Sequence, residues 1–176
     1  MVLLRWYGLT KTQLLKREHV LGQAPQGAEA VVRAAMGLLF RDIVAGKFDS
    51  PVLVTMRGRR ATEWILREQD PAHTDDVFRA LARRDEAVAV AGILRAIVPA
   101  EMGSLGAWLV AGECLGERFE VVIGIEPAGQ DGRPGFQTRG RRRSGADITW
   151  FGVAPRSRVE LVPEGPARMP KTWGEA

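Results

Sequence analysis

The spacing of apolar residues changes several times along this chain, and each change marks an element. Between Ala28 and Ala45, Val32, Met36, Leu39 and Ile43 recur every three or four residues, while Arg33, Arg41 and Asp42 fall mostly elsewhere. That is the apolar stripe of an amphipathic helix, and Gly46 offers its stop. "HTDDVFRALARR" predicts a second helix to about Arg84, with Thr74 as a cap and Asp75 and Asp76 where the helix dipole favours negative charge. "TKTQLLKREHVLG" reads as a helix too, capped at Thr10 or Thr12, apolar along Leu14, Leu15 and Leu21, and ended by Gly22. "ATEWILREQ" is assigned a further helix.

Elsewhere the period is two. Phe119, Val121, Ile123 and Ile125 alternate with Arg118, Glu120, Gly124 and Glu126, the pattern of a half-buried strand. The tight "LGE" before it predicts a hairpin with "GAWLVAGECL". "PVLVTM" at 51–56 is short, β-branched and flanked by polar residues, and "DITWFGV" and "RVELV" complete the set of clear strands. "AVAVAGILRAIV" fits either a helix or a buried strand; its alternating valines, Gly92 and the closing Pro99 favour the strand. The expected fold class is α+β, with N-terminal helices packed on a largely antiparallel sheet of about five to six strands. Residues 1–162 form one domain in this reading, and the Pro-rich tail 163–176 is expected to dock.

Length and composition agree with a single core. A chain of 176 residues with 45% hydrophobic and 26% charged residues falls outside the disordered class and can bury a core without staples. Cys114 is the only cysteine, which rules out an intramolecular disulfide. The apolar run before Arg5 is too short for a signal peptide, and Arg95 and Pro99 break the most apolar segment well below the roughly 20 residues of a membrane helix. A cytoplasmic protein without membrane contact is the expectation.

Of the net charge of +4, the stretch Gly129–Asp147 contributes +3 through five arginines and two aspartates. It belongs to a 20-residue connection, Pro127 to Ala146, between two predicted strands, longer than unstructured loops usually run. Arg133, Arg139, Arg141, Arg142 and Arg143 have the planar forks that pair with phosphate or carboxylate, and Phe136 can stack on a base. Arginine is also common wherever the genome is GC-rich, and 21 of the 25 basic residues here are arginine. A solvated loop is the bland alternative.

Catalytic signatures are sparse. His19, His73 and Cys114 have no metal-ligand spacing, and no nucleophile elbow, zincin motif or dinucleotide fingerprint occurs. Neither a metal nor a cofactor is expected, and no catalytic residue is assigned. Asp70, Asp75 and Asp76 cluster, but acids at a helix start usually serve the dipole. Cys114 with His73 offers a nucleophile and base, against the plainer reading of a cysteine packed as a small hydrophobe. Trp64 and Trp108 belong to the core, whereas Trp6, Tyr7 and Trp173 near the chain ends are candidate protein-interface anchors.

These features point first to a non-catalytic protein-binding or assembly component of a bacterial or phage multiprotein complex, as a homo-oligomer or with a protein partner. The alternatives are a nucleic-acid-binding protein that contacts phosphates through the 129–147 loop, and a small enzyme with an acidic site around Asp70, Asp75 and Asp76.

Overall fold

Among the described residues, every strand joins one eight-stranded sheet. The computed structural model describes residues 9–44, 50–67, 71–96, 106–125, 136–144 and 148–163. The strands are β1 (Leu9–Val20), β2 (Val52–Arg57), β3 (Arg60–Arg67), β4 (Ala89–Ala96), β5 (Gly106–Cys114), β6 (Glu117–Ile125), β7 (Phe136–Ser144) and β8 (Arg158–Pro163). The helices are α1 (Ala28–Val44) and α2 (Thr74–Arg84). Strand order is β7-β6-β5-β4-β2-β3-β1-β8. All neighbours are antiparallel except β1 and β8, which run parallel.

The α+β class, α1, α2, β2, β4, the β5–β6 hairpin and β8 agree with the sequence reading. Its helices, however, are not N-terminal elements laid on a following sheet. β1 precedes α1, and α2 sits between β3 and β4, so helices and strands alternate in the first half of the chain. The sheet is also larger than the five to six strands expected.

Three elements differ individually. Where helices are predicted at 10–22 and 61–69, residues 10–20 and 61–67 instead belong to strands β1 and β3, paired over Gln13–Val20 and Arg60–Arg67, and residues 68 and 69 lie outside the described residues. In β3, Ala61, Glu63, Trp64 and Leu66 are all buried, so apolar and buried positions fall on both faces and imitate a helical stripe. Of the predicted strand "DITWFGV", residues 148–153 are described, and they form an irregular segment that turns at Phe151 and Gly152, where Gly152 adopts φ +69°. At α2 the N-cap residue is His73 without a side-chain cap bond, and Thr74 is already helical.

The two faces carry separate cores. On one, Val31, Val32, Ala35 and Leu39 of α1 pack on Val54, Met56, Ala91, Ile93, Trp108 and Val110. On the other, Val77, Phe78, Leu81 and Ala82 of α2 join Leu14, Leu53, Trp64, Leu66, Val90 and Trp150. Two glycines let these covers approach. A Cβ on Gly112 would lie 2.7 Å from the Ala28 carbonyl oxygen of α1, and one on Gly92 would lie 2.5 Å from the Trp150 ring. Trp64, buried as expected, donates its indole N–H to Asp85 at 2.7 Å and so ties the end of α2 to the sheet. The first amide of α1 is capped from the β5–β6 hairpin, where Glu117 accepts the Ala28 N–H at 3.1 Å.

Candidate functional site

Four of the five arginines of the 129–147 stretch lie on an edge strand. Phe136, Arg139, Arg141, Arg142 and Arg143 lie in β7, the outermost strand on its side of the sheet. The Pro127–Ala146 connection is therefore a strand over nine of its residues. Its sequence has no apolar alternation to betray this. The strand is created by its ladder with β6, which sets Arg139 opposite Val122, Arg141 opposite Glu120, Arg142 opposite Phe119 and Arg143 opposite Arg118. Among the described residues, no strand pairs with the outer side of β7.

This register divides the arginines. Positions 139, 141 and 143 share the sheet face of Arg118 and Glu120, which is the α2 face; Phe136 and Arg142 share the α1 face. A single-loop patch, as the sequence suggested, becomes a strand edge with cationic positions on both sides. Arg133 and the candidate anchors Trp6, Tyr7 and Trp173 lie outside the described residues.

Beside β7, the α2 face holds a buried ionic network that sequence reasoning missed. Glu113 of β5 is fully buried and binds Nη1 of Arg118, itself only 6% exposed. Arg118 also donates from Nε to Glu120 at 2.9 Å and stacks 4.6 Å above the Trp150 ring. The same Glu113 carboxylate accepts the main-chain N–H groups of Thr149, Trp150 and Phe151, at 2.9, 2.7 and 3.1 Å. One carboxylate thus organises the 149–151 segment, and Trp150 is driven into the core against Phe78, ring centroids 5.2 Å apart. Only a glutamate in an apolar strand hinted at it.

The acidic group proposed as an enzyme centre is engaged in the same construction. Asp75 accepts the Trp150 indole N–H at 2.8 Å. Asp76 accepts from Arg79 at 2.9 Å, from the Arg156 amide at 2.8 Å and from the Ser157 hydroxyl at 2.6 Å. Burial alone would raise the Asp76 pKa, but the bonds from Ser157, Arg156 and Arg79 outweigh it and hold the carboxyl at about 2. Both aspartates pin residues 150–157 to α2. Asp70 lies outside the described residues.

Two further groups bear on chemistry. Glu63, 1% exposed, binds Nε2 of His19 at 2.9 Å, and Arg17 lies 3.8 Å from its other oxygen and 3.7 Å from Asp42. A carboxylate-held imidazole is the arrangement a general base uses. The 390 Å³ hollow beside it is lined by Glu18, His19, Val20, Arg60, Ala61 and Thr62, with no serine or cysteine in its wall. Assigning His19 and Glu63 to helices concealed this pair, which exists only through the β1–β3 ladder. Cys114 is partly buried, and burial together with the Glu117 carboxylate pushes its thiol up, opposite to what a nucleophile needs.

Among the described residues, no three His, Cys, Asp or Glu side chains are placed to hold a metal ion, and no helix is long and apolar enough to cross a membrane. The chain matches no protein-family profile, no curated protein and no solved structure.

Proposed function

We propose that this protein is a non-catalytic binding or assembly component that meets an acidic protein partner through the arginines of β7. One observation carries the reading: four arginines fall within five residues of an outermost strand, Arg139 to Arg143, whose outer side pairs with no described strand. Guanidinium forks bind carboxylates bidentately and steer association, and cations concentrated at one sheet edge favour an acidic surface over other partners. Trp6, Tyr7 and Trp173 are proposed as further anchors of the same assembly.

The strand edge favours protein over nucleic acid. A polyanion on one face meets three of the four positions whether its charges are phosphates or carboxylates, but only a polypeptide also offers main-chain donors and acceptors to pair with a strand edge. The test compares wild type with a variant in which Arg139, Arg141, Arg142 and Arg143 are all alanine. Capture of an acidic protein by the wild type, lost in the variant, supports the proposal. Retention on duplex DNA with a salt slope near 0.9 per phosphate contact would replace it with the nucleic-acid reading.

A further inference from the structure

Edge strands expose a row of unpaired main-chain donors and acceptors, and chains use charge to stop them pairing indiscriminately. β7 has nine residues, about 30 Å of strand, and no proline from Phe136 to Ser144. We propose that the partner binds by strand addition: an extended acidic segment of another protein pairs along the outer edge of β7, its alternating carboxylates meeting Arg139, Arg141 and Arg143. This rests on the reading that the β7 arginines meet a protein.

The sequence of β7 argues against a second copy as the occupant. In an antiparallel pair of two β7 strands with its two-fold axis at Arg141, Arg141 faces itself and Arg139 faces Arg143. With the axis at Gly140, Arg139 faces Arg141. A parallel in-register pair sets every arginine beside its own counterpart. Like charges directly opposite one another destabilise a ladder, so self-pairing is opposed in each arrangement. A segment with Glu or Asp at every second position converts the same repulsion into attraction on one face, while main-chain bonds supply affinity independent of side chain. One feature thereby excludes the wrong partner and selects the right one.

The β-sheet geometry sets the test. The full-length protein is titrated with a nine-residue peptide alternating Glu and Val, with the same peptide N-methylated at every second amide in either phase, and with a single-stranded oligonucleotide of equal charge. Hydrogen exchange is followed by NMR. Strand addition predicts that the alternating peptide binds, that every second amide between Gln137 and Arg143 gains protection, and that one N-methylated phase abolishes binding. Replacing the four arginines by alanine weakens binding about tenfold or more, the sum of the three modest ion pairs made by Arg139, Arg141 and Arg143. If the peptide binds and depends on the arginines, but β7 amides gain no protection and neither N-methylated peptide is impaired, strand addition is overturned while the acidic-partner reading stands. If neither the peptide nor any acidic protein binds, both fall, and the arginines serve only to block edge pairing. Binding of the oligonucleotide alone also overturns both.

Discussion

Removing the Glu113 carboxylate tests the account of how residues 149–151 are held. Glu113→Ala takes away the partner of a guanidinium that is 6% exposed and the acceptor of three main-chain N–H groups. Breaking a buried ion pair from one side costs about 3–5 kcal/mol, because the remaining charge stays desolvated. Arg118 keeps Glu120, at 2.9 Å, which places the cost toward the lower end. The buried Trp150 N–H adds about 1–3 kcal/mol if water does not reach it. The total, about 4–6 kcal/mol, is a large share of the roughly 5–15 kcal/mol that stabilises a domain. Glu113→Gln keeps the shape but turns an amide NH2 toward either Arg118 or the main-chain donors, and should still cost about 2–3 kcal/mol. Urea unfolding followed by tryptophan fluorescence measures both, with an unchanged slope confirming that only stability moved. A loss below about 1 kcal/mol in both variants would falsify the claim that this carboxylate organises the segment.

Other consequences follow from single sites. Asp76 has a folded pKa of about 2 against an ordinary 3.8, so its contribution is complete above pH 4 and disappears as pH falls toward 2. By linkage the shift is worth about 2 kcal/mol, and Asp76→Asn should flatten the acid limb of the stability curve by that amount; an unaltered limb would refute the assignment. Gly112→Ala sets a methyl against main-chain oxygen and should cost about 1–3 kcal/mol by thermal unfolding, as α1 must lift from β5; an unaffected Tm would contradict that contact. The Cys114 thiol should react with a disulfide reagent more slowly than a free cysteine at pH 8, and faster in Glu117→Gln, since its neighbour's charge contributes to the raised pKa.

The site was less legible than the frame. Arg139 to Arg143 stand out in the sequence as charge, yet nothing local distinguishes a basic strand from a basic loop when no apolar residue alternates with the arginines. The Glu113 and Glu63 constellations were hidden for a related reason. Each unites residues far apart in the chain, Glu113 with Trp150 and Glu63 with His19, and distant pairing leaves no trace in spacing.

The sequence alone determined the elements whose two sides differ in environment. α1 and α2 each show one apolar side, and β6 alternates because only its α1-facing positions, Phe119, Val121 and Ile123, are consistently apolar. Tertiary structure decided the rest. β3 has core on both faces, so its period-two signal vanished and Trp64 and Ile65 looked helical. β1 follows its partners, paired antiparallel to β3 and parallel to β8. Residues 149–151 gave up their strand-like composition because Glu113 captured their amides, and β7 became a strand because β6 presented an open edge to it. Local pattern reports the contrast between core and water along one segment; where neighbours cover both faces, or supply the hydrogen bonds themselves, only the assembled chain contains the information.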